Sequence, residues 1–267
     1  MLSDFTKLTD DYENIKIKSN YHTHNFLCGH AGGTVKDYVE NAVHCGLDTL
    51  GISDHCAAPI ASYSPYINLQ TLQTRYLPQF DEARALFGGR IEILSAVEIE
   101  YFEGYADYYK KLLDKLDYLV MGQHEFIYNG KHCDSFFDGV GEDNITAYFK
   151  SVELGLKSGY FAILAHPDLI FYRRPTMTKK IAAAFERTVR TAVDCGVALE
   201  LNANGIRSHG FRYPTDLLIE LCQKYNAEVV VSSDCHSPDV LCDEYMLRLY
   251  DYALKKNLNV TDTIRKQ

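Results

Sequence analysis

Three histidines fall within nine positions of the chain, in Tyr21-His22-Thr23-His24-Asn25-Phe26-Leu27-Cys28-Gly29-His30. In an extended strand, residues two apart project to the same face, so His22 and His24 present two imidazoles side by side. Neutral imidazole is a common ligand of divalent transition metals. An isolated His-x-His is more often an ordinary surface or hydrogen-bonded pair. Its meaning depends on where the other histidines and acids fall.

The elements that position them come next. Short apolar or β-branched runs are expected as strands at Ile15–Tyr21, Thr49–Ser53, Ile91–Val97, Tyr118–Gly122, Phe161–Ala165, Val197–Leu201 and Glu228–Ser232. Helical patterns lie between and after them, at Thr34–Cys45, Leu69–Leu86, Tyr105–Leu116, Asn144–Ser158, Thr178–Cys195, Thr215–Tyr225 and about Val240–Lys255. Gly46, Gly159 and Gly196 stand where helices should stop. Strand followed by helix, repeated, argues for parallel strands with crossover helices.

An open doubly wound sheet and a closed barrel both fit that alternation. The polar residues choose. The strand ends carry, in order, His22 and His24; Asp54 and His55; Glu98; His124; His166; Asn202; Asp234 and His236. Only a closed or nearly closed ring brings all of these to one mouth. The expected fold is therefore an α/β barrel of about seven strands, forming a single domain over 1–267.

Composition narrows the function classes. The chain has 27 Lys and Arg against 36 Asp and Glu, a formal net charge of -9. Without a basic run it is a poor general binder of nucleic acid. No apolar run approaches the ~18 residues of a membrane span. The acidic stretch from Met1 to Asn14 lacks the character of a signal peptide. The eight cysteines show no Cys-x-x-Cys spacing and read as reduced thiols, mostly in the core, of a cytoplasmic protein. Oligomeric state is open.

Of the ten histidines, His22, His24, His30, His55, His124, His166 and His236 lie at or just beyond strand ends. His44 sits inside a helix, His132 in a polar loop and His209 in the 205–214 loop. With Glu98, Asp54 and Asp234 the donors exceed one metal's coordination number, so two or three ions are implied. A structural zinc site would be smaller, closed and usually rich in cysteine.

His22-x-His24 with His30, Ser53-Asp54-His55, Glu98, His124, Ala165-His166-Pro167 and Asp234-x-His236 resemble the motifs of the PHP (polymerase and histidinol phosphatase) family. The match runs in order over nearly the whole chain. The resemblance implies a distorted (β/α)7 barrel with three divalent ions, zinc, manganese or iron. One ion would be held by His22, His24, Glu98 and Asp234, a second by Glu98, His124 and His166, and a third by His30, His55 and His236. It also implies a catalytic set of Asp54, Glu98 and His55, with a metal-bridging hydroxide as nucleophile at phosphorus and Asp54 as proton carrier.

Arg207, in Asn204-Gly205-Ile206-Arg207, resembles a stretch carried by the histidinol phosphatases of that family, and is expected at the substrate phosphate with His209 and with Arg173 or its neighbour Arg174, Arg173 being favoured. The segment from Pro59 to Leu86 is expected to form a lid bearing Tyr63, Tyr66 and Tyr76, with Tyr101 and Phe102 facing an imidazole. The implied reaction is hydrolysis of L-histidinol phosphate to L-histidinol and phosphate in L-histidine biosynthesis. The alternative is another phosphoesterase of the family, acting on nucleoside phosphates or short oligonucleotides. A non-catalytic module docked to a larger enzyme is a weaker rival, since such modules often lose ligands.

Overall fold

The computed structural model describes residues 2, 5, 15–56, 58–61 and 67–266. The expectations for Tyr63 and Tyr66, and nearly all of the 1–14 segment, lie outside these residues. The strands are β1 Ser19–Asn20, β2 Thr49–His55, β3 Glu92–Ile99, β4 Tyr118–Met121, β5 Glu125–Tyr128, β6 Lys131–Asp134, β7 Ile163–Leu164, β8 Ala198–Asn202, β9 Glu228–Ser232 and β10 Asn259–Val260. The helices are α1 Val35–Cys45, α2 Leu69–Thr71, α3 Leu77–Phe87, α4 Ala106–Leu113, α5 Glu142–Ser158, α6 Lys179–Cys195, α7 Asn204–Arg207, α8 Asp216–Tyr225 and α9 Glu244–Lys255.

Eight strands form one curled parallel sheet in the order β1-β2-β3-β4-β7-β8-β9-β10. The seven strands expected from sequence are all present. The eighth, β10, is a two-residue strand beside the start of β9. Beyond the C-terminal ends of β1 and β9 the sheet meets itself. Thr23 and Cys235 form a parallel bridge. The His24 N–H donates to Cys235 O at 3.0 Å, and the Asp234 N–H donates to His22 O at 2.9 Å. The ring thus closes through the segments that carry the metal-type side chains.

Parallel strands covered by helices are buried on both faces, and alternate residues face different layers. Along β3, Leu94 and Ala96 join the cluster inside the ring, while Ile93, Val97 and Ile99 pack outward. Tyr118 and Val120 of β4 and Ala198 of β8 join the same inner cluster. Near its floor, the Tyr118 hydroxyl donates to Tyr21 O at 2.6 Å. A side chain on Gly51 would put its Cβ 1.9 Å from that hydroxyl, so the floor requires glycine there.

The helices are built from local signals. Thr34 caps α1, with Asp37 returning the bond in a capping box, and Gly46 ends it in the left-handed conformation. Val35, Tyr38, Val39 and Ala42 form its buried stripe. The segment expected as one helix over 69–86 contains a π turn at Leu72–Tyr76. Tyr76 is fully buried there, and its hydroxyl lies 2.9 Å from both Ile52 O and Ala96 O, which share its one proton. It belongs to the core and corrects the expectation of a lid tyrosine. The 129–134 stretch, expected as a polar loop, contributes β6 of an antiparallel β5–β6 hairpin.

Candidate metal centre

All nine residues expected as metal ligands lie at the C-terminal mouth of the ring. His22, His24, His166 and Asp234 follow the ends of β1, β7 and β9; His55 ends β2 and Glu98 is the last residue but one of β3; His124 lies just past β4. His30 and His236 sit on the loops beyond, their rings 4.9 Å apart.

Glu98 is the centre. Its Oε2 lies 3.4 Å from His22 Nε2, 3.7 Å from His24 Nε2 and 3.0 Å from His55 Nδ1. Its Oε1 lies 2.9 Å from His166 Nε2 and 3.4 Å from His124 Nε2. One carboxylate therefore addresses two groups of imidazoles with different oxygens. Asp234 Oδ1 lies 3.0 Å from His24 Nε2 and 3.7 Å from His22 Nε2. The His236 ring stacks on His24 at 4.3 Å, and the His30 ring stands 5.1 Å from that of His55.

This geometry needs room at the carboxylate. Gly122 provides it, because a Cβ there would fall 1.9 Å from Glu98 Oε1. His166 and Asp234 take left-handed backbone conformations, with φ of 29° and 45°. Non-glycine residues rarely do so unless the surroundings hold them.

The electrostatics favour bound cations. Burial opposes ionisation of Glu98, yet His124, His22 and His55 hold it well below the usual carboxylate range. Asp234 is likewise held low against its burial by His22 and His24. Burial pushes His24 and His55 down to about 3, leaving them neutral, as a metal ligand must be. His22 rises well above its ordinary value, because Glu200, Glu98 and Asp234 outweigh the burial that would lower it.

The residues fit a metal centre on geometry as well. His22 Nε2 and His24 Nε2 point at each other across 3.1 Å, and Glu98 Oε2 is buried without a hydrogen bond. His22, His24 and Asp234 offer ligand atoms within 4.8 Å of one another, as do His55, Glu98 and His124, and His24, His55 and His236. Imidazole nitrogen with carboxylate oxygen suits zinc, manganese and iron alike.

A domain model described as "PHP domain" matches residues 20–204. The chain belongs to the PHP domain family. Other PHP-type chains are similar over most of their length. A protein of Deinococcus radiodurans named "Probable histidinol-phosphatase" is 26% identical over 81% of this chain and 85% of its own. One of the same name from Schizosaccharomyces pombe is 25% identical over 83% and 81%. The crystal structure of a histidinol phosphate phosphatase from Lactococcus lactis, complexed with Zn, L-histidinol and phosphate, superposes with a TM-score of 0.70 at 15% identity, covering 93% of this chain and 99% of that one. This PHP chain has the barrel fold of that structure, with metal-type side-chain clusters at its mouth.

Asp54 is fully buried beneath the centre, 3.4 Å from His24 Nδ1. Burial raises its carboxyl to about 6, although His55 pulls the other way. His209 packs at the mouth, its ring 5.6 Å from Tyr213 and 5.7 Å from both Phe136 and Tyr172. Phe136 lies parallel to the His124 ring at 6.3 Å. Arg173 is exposed over Phe137, and Arg212 stands over Tyr172. Arg207 is engaged by neighbouring protein groups. Its Nε and Nη2 donate to the Asp243 carboxylate, its Nη1 to Ser233 O at 3.0 Å, and its Nη2 also to Val240 O at 3.3 Å. The guanidinium is satisfied within the protein.

Tyr101 packs against Tyr109 and Phe161, and buried Phe102 lies 6.1 Å from the His132 ring. Among the described ring contacts, neither meets a ring of the histidine cluster. His44 is exposed on α1. Cys28, Cys56 and Cys235 are buried beside the centre, as expected, but Cys45 is exposed and Cys133, Cys195 and Cys242 are half-buried. No described helix is long and apolar enough to cross a membrane.

Two carboxylates at the centre were missed. Glu200 is fully buried and lies 2.8 Å from His22 Nδ1. Glu100 lies 3.3 Å from His124 Nδ1. The strand pattern held a signal for the first: Ala198, Glu200 and Asn202 alternate along β8, and Ala198 faces the inside of the ring.

Proposed function

We propose that this PHP protein is a histidinol-phosphatase, hydrolysing L-histidinol phosphate to L-histidinol and phosphate in L-histidine biosynthesis. The observation that carries the reading is Glu98, whose two oxygens face separate imidazole groups. A bridging carboxylate is what a multinuclear phosphoesterase requires. His22, His24, Glu98 and Asp234 would hold one ion, Glu98, His124 and His166 a second, and His30, His55 and His236 a third. Such ions neutralise charge on phosphoryl oxygens and make water a nucleophile near neutral pH.

The chain's own residues do the rest. Glu98 and His55 fix the geometry beside phosphorus. Asp54, with a carboxyl raised to about 6, holds a proton more readily than an ordinary aspartate and delivers it to the leaving alkoxide. Arg173, and neutral His209 at the aromatic mouth, are assigned to the phosphoryl and ring ends of the substrate. Arg207, engaged by Asp243, serves by fixing Ser233 and with it the turn that carries Asp234. The relatives' names and the site's chemistry support a small phosphomonoester; the net charge of -9 disfavours a polyanion.

The test is steady-state kinetics on histidinol phosphate, mononucleotides, sugar phosphates, a short 5′-phosphorylated oligonucleotide and an aryl phosphate, with metal content measured on the same sample. A preference for histidinol phosphate of roughly a hundredfold in kcat/KM, about 2.7 kcal/mol, supports the reading. Faster turnover of nucleotides or oligonucleotides moves the protein to the alternative phosphoesterase.

A further inference from the structure

Glu200 lies outside the expected ligand set and yet contacts two of its members, His22 and His166. Its Oε1 lies 2.8 Å from His22 Nδ1. Its Oε2 accepts from the backbone N–H of His166 at 2.9 Å and from Asn202 Nδ2 at 2.9 Å. Asn202 Nδ2 is also 2.9 Å from Asp234 Oδ2, and Asn202 Oδ1 accepts from the Gly205 N–H at 3.1 Å. One carboxylate on β8 therefore reaches the His22 side chain after β1 and the His166 backbone after β7, and through Asn202 it is linked to Asp234 after β9.

We infer that Glu200 is a positioning residue that holds ligands of two different metal positions in register. The inference rests on the metal-centre reading above. Three physical effects support it. An acceptor at Nδ1 keeps the proton on that nitrogen, leaving His22 Nε2 as the metal-facing atom. The bond to the His166 N–H holds a residue whose φ of 29° is costly without support. Through Asn202 the same carboxylate orients Asp234, the other ligand with positive φ, at 45°. Glu200 is fully buried, so a missing partner is not replaced by bulk water.

Glutamine cannot reproduce this. Its amide has one accepting and one donating end. In either orientation an N–H faces another donor, at His22 Nδ1 or at the His166 N–H and Asn202 Nδ2. Glu200→Gln keeps the volume and removes the function.

The experiment is a zinc competition titration of the chelator-stripped parent and of Glu200→Gln, against a chromophoric chelator, with folding checked by circular dichroism. The expected result is at least tenfold weaker binding in the variant, with zinc lost from more than one position. Equal affinity and stoichiometry in a folded variant overturns the inference and leaves the metal centre standing. A parent that binds no zinc overturns both. Should Glu200→Gln not fold, proton–nitrogen NMR of the zinc-loaded parent decides: a slowly exchanging His22 Nδ1–H supports the role, and zinc on Nδ1 refutes it.

Discussion

Arg207 and Asp243 meet in a two-pronged contact, Nε and Nη2 of the guanidinium each donating to one carboxylate oxygen. The pair is largely buried, with 13% and 17% of the side chains exposed. It joins the α7 segment to the start of α9, and Asp243 also caps α9 by accepting from the Met246 N–H. Removing one partner leaves a desolvated charge, and the other loses its geometry. Arg207→Ala and Asp243→Ala should each cost about 2–3 kcal/mol in urea unfolding, discounted for partial exposure. The double variant should cost little more than either single one. A raised KM with unchanged stability in Arg207→Ala would instead return this arginine to the substrate phosphate.

Gly122→Ala tests whether Glu98 must stand where it does. The new methyl would meet Glu98 Oε1 at 1.9 Å, and the carboxylate has to leave its place between the two imidazole groups. The expected outcome is a kcat at least a hundredfold lower, about 2.7 kcal/mol, with fewer ions per chain by elemental analysis. Near-parent activity with full metal content would show that Glu98 has another competent position.

Asp54→Asn separates proton delivery from binding. An amide cannot protonate a leaving group, and it keeps the size of the buried side chain. Hydrolysis of an alkyl phosphate should fall about 10²–10⁴-fold in kcat. An aryl phosphate with an acidic phenol should lose far less, since its leaving group needs no proton. Equal losses on both substrates would assign Asp54 to orienting His24 instead.

Chelation should abolish activity and lower Tm, and excess zinc or manganese should restore both. Ligand binding to the folded form alone stabilises by about 1.4 kcal/mol per tenfold excess over Kd. Full activity after removal of all ions, verified by elemental analysis, would contradict the metal-dependent reading.

Away from the centre, the Glu186 carboxylate is held below its ordinary pKa by Lys224, at 2.5 Å, and by the Tyr225 hydroxyl, linking α6 to α8. A depressed acid pKa adds stability above the unfolded value of about 4.3, and that stability is lost as pH falls through the folded pKa. Glu186→Gln should lower Tm at pH 7, and the gap should close only below about pH 4, as pH falls through the depressed folded pKa. A gap that persists in acid would show that the contact is not ionic.

The order of strands and helices was legible because local signals agree with one another. Thr34 and Gly46 bracket α1, and apolar strand segments alternate with helical periodicity. The metal-type residues were legible for a different reason: they stand at strand ends or on the loops just beyond, and in a parallel ring all such ends point to one mouth. Side-chain type and position along the chain were enough.

What the tertiary structure decided are relationships between residues far apart in the chain. A short motif around Arg207 says nothing about Asp243, which lies 36 positions away and engages the guanidinium. Tyr76 read as a lid residue because sequence cannot tell a buried hydroxyl with backbone acceptors from an exposed one. Glu200 was passed over because a carboxylate inside a strand gains its meaning only from the imidazole brought to it across 178 residues. Short-range periodicity is written into the sequence itself, whereas the partner of a buried charge is fixed by ring closure and packing, which no local pattern encodes.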